Sequence, residues 1–431
     1  MMITDLALLV LAATAPAAPP RVLTLEEALR VASAQQPQLR QATAATQAAV
    51  ANADAVMSPL LPQVGGSASY QRATGNISAR PGSSTGQTSS SLSWESFPYY
   101  TLGLSASQLI YDFGQSRSRW RSAQASADAQ RTSERTILSQ VFFGVRSAYF
   151  QARAAKSAVT VAVDTLANQQ KHLDQIQGFV DVGTRPEIDL AQAKTDVANA
   201  DVQLITAQNA YAIAKAQLNQ AMGVEGSTDY DVADETQPPV EGEDDVTDVL
   251  LEEALKARPE IAALQDDIRA QELNVRAIQG ALGPSLVFSA GFTDAGQQTS
   301  SLAWNWDAGL GLSIPIFQGG QTRAQIRQAQ ANLANVHAQA ESERLQVRLE
   351  VEQARLTVLA ARTALTATGE ALVNAKDRLR LAEGRYETGV GSIIELGDAQ
   401  LALTSAAYQQ VQAEYALAQA RAGLIKALGR D

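Results

Sequence analysis

Several stretches of the chain alternate between large apolar residues and small, mainly polar ones, which is the pattern of β-strands with two different faces. In the last stretch the apolar face consists of Leu302, Trp304, Trp306, Ala308, Leu310, Leu312 and Ile314. Because successive side chains of a strand point to opposite sides, the alternation predicts strand pairs at 63–112 and 285–316. An apolar face, a small polar face, and Trp or Tyr near the strand ends are typical of a transmembrane β-barrel. The aromatic residues predicted at the membrane interface are Trp94, Tyr100, Trp304 and Trp306.

Two longer stretches have the spacing of coiled-coil helices. Residues 115–177 contain no proline, and apolar residues recur there every three or four positions, as they do in residues 321–383 apart from one glutamate. Each stretch has 63 residues, which at ~1.5 Å per residue predicts a helix of roughly 95 Å. A glycine-containing turn follows each helix, and a second helix returns. The prediction is two long helical hairpins, at 115–223 and 321–429.

The chain repeats itself once. Leu25-Glu-Glu-Ala-Leu29 recurs as Leu251-Glu-Glu-Ala-Leu255, and Gly114-Gln-Ser-Arg117 recurs as Gly320-Gln-Thr-Arg323. The recurring order is helix, strand pair, very long helix, tight turn and helix, so the chain is a duplicated unit. The predicted domains are a first structural repeat at 18–223, an acidic linker at 224–247 and a second structural repeat at 248–431.

The net charge of −11 is concentrated in the linker. Residues 224–247 contain nine acidic residues and no Lys or Arg, whereas the remainder has 34 basic and 36 acidic residues. A nearly balanced bulk argues against nucleic acid as a partner. With two prolines among its carboxylates, the linker is predicted to be solvated.

The composition excludes most site chemistry. The chain has no Cys and only two histidines, His172 and His337, which argues against thiolate or imidazole metal sites and Cys nucleophiles. Both histidines lie in predicted helices, where solvated or core roles outweigh ligation. The sequence has no phosphate-binding loop with Lys and no nucleophile elbow. We predict no catalytic residue, no metal and no cofactor, and therefore no enzyme.

The apolar face of the predicted strands must contact either lipid, in a barrel built from several chains, or another part of the protein that covers it. No apolar run reaches about 18 residues, so no membrane-spanning helix is predicted. Four strands of about ten residues cannot close, since membrane barrels begin at about eight strands and lipid does not tolerate open edges. One interpretation is that several chains pool their strands. The other is a soluble periplasmic coiled-coil scaffold protein whose sheet is covered.

The N-terminus predicts export from the cytoplasm. Leu6–Ala13 is a short apolar core, and Ala15-Pro16-Ala17 follows it as a site of small residues. Although no Lys or Arg precedes the apolar core, this pattern indicates a cleaved signal peptide at 1–17.

Short motifs that occur twice in the same order point to a known family. They include Leu25-Glu-Glu-Ala-Leu29, Leu109-Ile-Tyr-Asp-Phe-Gly114, Ile316-Phe-Gln-Gly-Gly320 and Tyr386-Glu-Thr-Gly389. With the duplicated plan they resemble the TolC family of outer-membrane efflux proteins over essentially the whole mature chain. The resemblance implies an α+β membrane fold, in which a homotrimer shares a 12-stranded transmembrane β-barrel, four strands per chain. Coiled-coil hairpins would form a long periplasmic α-helical barrel.

The resemblance also implies a function and partners. It implies a duct in the outer membrane of a Gram-negative bacterium, with a periplasmic extension, that passively exports small molecules such as drugs and toxins. An inner-membrane pump, a periplasmic adaptor (membrane fusion) protein and outer-membrane lipid would be its partners. A type I protein-secretion duct has the same fold and remains an alternative.

The family further implies a periplasmic gate at the hairpin turns. Tyr386 and Asp189 match a Tyr and an Asp that link neighbouring hairpins, while the matching Arg position is Gly391 and Arg185 occupies the equivalent place in the first repeat. Two acids, Glu395 and Asp398, match carboxylates at the entrance constriction. From the sequence alone, the positive end of a helix dipole is the better explanation of such acids, and it is the resemblance that favours the entrance. The residues that resemble adaptor-docking turns are Gly183, Thr184, Gly389 and Val390.

Overall fold

The computed structural model describes residues 21–74 and 94–430. The predicted signal peptide and nearly all of the Gly/Ser/Thr-rich stretch between the first two strands lie outside these residues. The elements are β1 (Arg21–Leu23), α1 (Leu25–Gln35), α2 (Pro37–Met57), β2 (Gln63–Thr74), β3 (Ser96–Tyr111), α3 (Gln115–Asp181), α4 (Glu187–Met222), β4 (Tyr230–Val232), α5 (Thr247–Ala257), α6 (Pro259–Gly280), β5 (Ser285–Gly296), β6 (Ala303–Ser313), α7 (Gln321–Glu387) and α8 (Ile393–Ala427).

The chain divides into two compact units, each built from separate stretches. The first unit contains the hairpin turns and comprises, among the described residues, 21–37, 138–250 and 351–430. The second unit contains the large sheet and comprises 38–74, 94–137 and 251–350.

The second unit holds a four-stranded antiparallel sheet in the order β2-β3-β5-β6. Its register aligns Leu104, Phe292 and Trp306 on one face of three adjacent strands, as the alternation predicts. The described residues leave this face uncovered, because Trp306 is 66% exposed and Leu310 is 68% exposed. The opposite face carries small and polar residues. Among the described strands, the two outer ones, β2 and β6, each have a neighbour on one side only.

The two longest helices have 67 residues each and run into tight turns. They extend beyond the predicted 115–177 and 321–383 because Gly178 and Gly384 lie within the helices. The chain turns instead at Gly183 and Gly389, whose φ angles are +76° and +79°. Only glycine adopts this left-handed conformation at no steric cost.

Alanine packs the returning helices of the first unit. On α4 the buried alanines are seven residues apart at Ala193, Ala200, Ala207 and Ala214; on α8 they are Ala399, Ala406, Ala413, Ala420 and Ala427. A heptad of small side chains lets neighbouring helices approach more closely than a heptad of leucines.

Residues 224–247, predicted as a solvated linker, lie instead against helices of the first unit, and we call them the acidic strap. Its strand β4 pairs in parallel with β1. Lys156 Nζ donates to Asp231 Oδ2 at 2.6 Å, and Arg421 donates to both carboxylate oxygens of Glu243 at 3.0 Å. Solvation therefore does not explain the acidic composition, because basic side chains on the helices pair with these carboxylates.

The ion pairs of the acidic strap shift the pKa values of its carboxylates. Burial of Glu243 opposes its ionisation, but the hydrogen bonds from Arg421 and the Val240 amide outweigh burial and hold its pKa below the ordinary value. Burial likewise opposes ionisation of Asp231, and the hydrogen bonds from Lys156 and Tyr211 lower its pKa. The strap is thus held most firmly when these carboxylates are charged.

Candidate functional site

The two hairpin turns of the first unit have the same backbone structure. In the first turn the Thr184 amide donates to the Phe179 carbonyl at 2.9 Å, and the Gly183 amide donates to Val180. In the second, Val390 donates to the Arg385 carbonyl at 3.0 Å. This pattern of bonds is the Schellman motif, which requires the left-handed glycine. The four residues predicted as docking turns therefore occupy equivalent positions and are exposed.

Tyr386 is the centre of the predicted gate residues. Its ring is 4% exposed in a cluster with Ile176 and Leu396. Its hydroxyl donates to Asp189 Oδ2 at 3.3 Å, and Asp189 is 6% exposed. Burial and the neighbouring Asp189 carboxylate raise the pKa of Tyr386. The pair joins α7 to α4, and therefore one hairpin to the other.

Arg185 completes this arrangement from the first turn. Its guanidinium carbon lies 4.3 Å from the centre of the Tyr386 ring, a cation–π contact. Its Nη2 donates to the Tyr386 carbonyl at 2.9 Å and to the Gly391 carbonyl at 3.4 Å. A Cβ on Gly391 would lie 3.0 Å from the Tyr386 nitrogen, so the backbone leaves little room for a side chain at 391. We call Tyr386, Asp189 and Arg185 the gate network.

The two acids at the start of α8 have different surroundings. The Glu395 amide is capped by Ser392 Oγ at 3.2 Å, and its carboxylate accepts from Arg385 Nε at 3.2 Å. Asp398 is exposed and lines a groove of about 670 Å³, together with Asp189 and Asp196. Glu395 therefore has a local structural role in this chain, whereas Asp398 contributes an accessible carboxylate.

A second link between the two hairpins, from α3 to α7, was not predicted. His172 is 6% exposed, and its Nε2 lies 3.2 Å from Glu383 Oε1 while its Nδ1 lies 3.2 Å from Gln175 Oε1. The sequence interpretation placed His172 correctly in a helix but gave it no partner. Its spacing from Ile176, which is four residues or one turn away on the same face, was the available signal.

Two exposed isoleucines beside the turns were also missed. Ile188 is 74% exposed at the start of α4, and Ile394 is 72% exposed at the start of α8. They are separated by the repeat offset of the two turns. Equivalent exposed apolar side chains therefore lie next to both turns.

The second unit contains the predicted interface aromatics. Trp304 lies in β6 and is 68% exposed, Tyr100 lies in β3, and Trp94 precedes β3 and is 98% exposed. Near the other end of the strands, Tyr111 and Phe317 are also exposed. The sequence interpretation did not include these two.

Comparison with known proteins assigns the chain to a family. The outer membrane efflux protein family matches residues 28–224 and 250–430. The chain belongs to this family. This efflux protein is 27% identical over 416 residues to the pyoverdine export outer membrane protein OpmQ of Pseudomonas putida, covering 94% of its own length and 85% of the relative. It is also 27% identical to outer membrane protein TolC of Escherichia coli, covering 88% of its own length and 76% of TolC.

A solved structure supports the fold of the efflux protein. The outer membrane protein VceC from Vibrio cholerae superimposes with a TM-score of 0.80 and 19% identity, over 94% of this chain and 96% of VceC. The TolC-like α+β fold is thus confirmed.

The family assignment also confirms the general function. The efflux protein is an outer-membrane export duct of the kind used in tripartite efflux, and it is not an enzyme. Within the described residues, no helix is long and apolar enough to cross a membrane. Among the same residues, no three His, Asp or Glu side chains are grouped so as to hold a metal ion.

Proposed function

We propose that three copies of the chain form the duct by pooling their sheets into one 12-stranded barrel. The uncovered apolar face of the sheet and its two outer strands support this assembly. In lipid, the unpaired backbone groups of β2 and β6 need partners, and another copy of the same sheet supplies them. In each copy, the two repeats, at 18–223 and 248–431, would each contribute one strand pair and one hairpin.

We propose that the gate network keeps the periplasmic entrance closed. The Tyr386 hydroxyl and the Arg185 guanidinium both cross from one hairpin to the other, so separating the hairpins breaks these contacts together. The buried position of Tyr386 makes the loss of its partner costly, because an unsatisfied buried hydroxyl loses about 1–3 kcal/mol. An accessible carboxylate, Asp398, would give the open entrance a preference for cations.

We propose the two turns as the docking surface for a periplasmic adaptor protein. Gly183, Thr184, Gly389 and Val390 are exposed in equivalent backbone conformations. The chain has no nucleotide-binding motif, so an inner-membrane pump would supply the energy and select most substrates. Transport through the duct itself is passive.

We propose small molecules as the exported substrates. The Pseudomonas putida relative is named for pyoverdine export, and a polar, small-residue inner face of the sheet selects weakly. Protein secretion remains the second candidate function, because the same duct fold would serve it.

The first test is the mass of the protein extracted from membranes, measured by light scattering in mild detergent. We expect a detergent-requiring species near three times 45.7 kDa, less the signal peptide. A water-soluble monomer or dimer would contradict the pooled barrel. Deletion of the gene should then cause intracellular accumulation of small toxic dyes. Normal dye efflux with loss of a secreted protein would favour the secretion duct.

A further inference from the structure

We propose that an arginine-lined groove beside the sheet binds the headgroup of a zwitterionic, ammonium-bearing phospholipid. The groove lies within the second unit, between α2, α3 and α6, and has a volume of about 620 Å³. Small-ligand sites typically measure roughly 300–1,000 Å³. We call it the arginine groove, after Arg121, Arg131, Arg269 and Arg276, which line it. The proposal goes beyond export and rests on the outer-membrane placement of the sheet.

Helix periodicity brings these charges to one groove. Arg269 and Arg276 are seven residues apart on α6, and Arg121 and Asp128 are seven residues apart on α3, so each pair projects from one helix face. Asp54 on α2 lines the third side. Three helix faces therefore present guanidinium and carboxylate groups to the same space.

Part of this charge is already neutralised within the chain. Arg131 pairs with Asp128 at 3.1 Å. Burial raises the pKa of Asp266, and the positive charge of Arg269 partly offsets that increase. Arg121 and Arg276 have no ion-pair or hydrogen-bond partner in the part of the chain that the structure describes.

Two carboxylates that line the groove complement these free guanidinium groups. Neither Asp54 nor Glu272 has an ion-pair or hydrogen-bond partner among the described residues. Unpaired guanidinium and carboxylate groups in one groove fit a ligand that carries both a negative and a positive charge. A phosphate suits the guanidinium groups, which offer it paired N–H donors, and an ammonium suits the carboxylates.

The free arginines lie close to the junction between the helices and the strands. The end of α6 meets the start of α3, because a Cβ on Gly280 would lie 3.0 Å from the Gln115 nitrogen. Arg276 is four residues before Gly280, and Arg121 is six residues after Gln115. At ~1.5 Å per residue, Arg276 and Arg121 lie about 6 and 9 Å along their helices from this junction, which is itself separated from the strands by short connections. The headgroup layer extends about 5–8 Å beyond the hydrocarbon core.

Exposed aromatic side chains mark the same level. Tyr111 is 54% exposed, Phe113 is 56% exposed and Phe317 is 88% exposed. All three lie where strands give way to α3 and α7. Aromatic residues are enriched where hydrocarbon meets headgroups. Arg121 and Arg276 therefore lie just on the aqueous side of the membrane boundary.

The test counts lipids that remain bound to the full-length protein. The purified protein in mild detergent is incubated with phosphatidylethanolamine, and bound lipid is measured by native mass spectrometry. Arg121→Gln with Arg276→Gln should weaken retention roughly ten-fold or more, as expected for loss of charge-assisted hydrogen bonds. Arg135→Gln with Arg344→Gln removes the same charge from exposed positions that are outside the groove and further from the strands, and should retain lipid like the wild type.

Three outcomes would overturn the proposal: equal retention by the wild type and both variants, preference for phosphatidylglycerol over phosphatidylethanolamine, or equally tight binding of soluble phosphoethanolamine. The last would mean that the groove takes a free solute. Mass and conductance measured on the same samples report the trimeric duct independently of lipid. An intact trimer without bound lipid would therefore count against this proposal alone.

Discussion

At the scale of single residues, the gate network ties one hairpin to the other through a small number of atoms. The Tyr386 hydroxyl has Asp189 as its partner, and Arg185 covers the ring. We predict that Asp189→Ala with Tyr386→Phe raises single-channel conductance in planar bilayers, because the variant loses the hydroxyl–carboxylate link while the ring still fills the cluster.

A matched control exists within the same unit. Tyr211 donates to Asp231 at 2.6 Å, so Tyr211→Phe also removes a tyrosine–aspartate hydrogen bond, away from the turns. We expect its conductance to equal that of the wild type. Equal conductance and gating in the gate variant and this control would refute the assignment of Tyr386 and Asp189 to the gate.

Sequence patterns identified some of these residues and not others. Tyr386 and Asp189 were found because they match a family motif near a glycine turn. The contact between His172 and Glu383 was missed because a helical pattern shows which face a residue is on but not which helix lies opposite. Arg185 donates to the backbone carbonyls of Tyr386 and Gly391. Every residue has such a carbonyl, so the residue types could not identify these partners.

At the scale of elements, the alanine heptads set how closely the hairpin helices pack. We predict that Ala207→Leu lowers the free energy of unfolding by about 1–3 kcal/mol, because a larger side chain does not fit a closely packed contact. Ala207 is 8% exposed, whereas Ala210 is exposed on the same helix. Ala210→Leu is therefore the control, and thermal unfolding followed by circular dichroism is the measurement. An equal loss in both variants would argue against tight packing at Ala207.

The acidic strap should make the first unit sensitive to acid. The pKa of Glu243 is lowered in the folded state, so its contribution is present above the ordinary glutamate value and is lost as pH falls through the lowered value. We predict that the melting temperature falls in this acidic range. Glu243→Gln should weaken that dependence and cost about 3 kcal/mol near neutral pH, since it leaves Arg421, whose side chain is only 12% exposed, without its charge partner.

Asp244 supplies the comparison for this prediction. Its side chain is 68% exposed and pairs with Arg362 at 2.8 Å. Because exposed ion pairs contribute about 0–1 kcal/mol, Asp244→Asn should change the melting temperature little. If the two variants change the melting temperature equally, the burial of Glu243 does not determine its contribution to stability. The sequence could not distinguish the two carboxylates, since both belong to one acidic run and only the fold buries one.

The turns themselves can be tested as elements. Replacing residues 182–184 or 388–390 with Gly-Ser segments should abolish export while leaving the trimer intact, because these residues are exposed and lie outside the gate network. Dye efflux in cells and mass in detergent are the two measurements. Normal export with either replaced turn would exclude that turn as an adaptor-docking site.

At the scale of the whole molecule, two independent patterns predicted the fold. The period of two in 301–314 and the heptads of 115–177 and 321–383 required both a sheet and long helices. Neither pattern specifies how many chains close the barrel, because that number depends on strand tilt and on contacts between copies. The number three came only from the family resemblance.

Closure by neighbouring copies predicts a specific cross-link. Val64 begins β2 and Leu312 ends β6 on the same apolar face, at the end of the sheet where the helices begin. The chain has no cysteine, so Val64→Cys with Leu312→Cys introduces the only two thiols. If β6 of one copy pairs with β2 of the next, a short thiol-specific cross-linker should yield covalent trimers on denaturing gels.

The size of the product and a displaced pair decide the outcome. Trp304 is eight residues from Leu312, or about 26 Å along the strand, so Val64→Cys with Trp304→Cys should give monomers only. A ladder that continues beyond three copies would indicate an open assembly. If the largest covalent product contains two copies, the trimer is contradicted. If the largest contains three, each β2 edge meets a β6 edge of a neighbouring copy, as in a closed barrel.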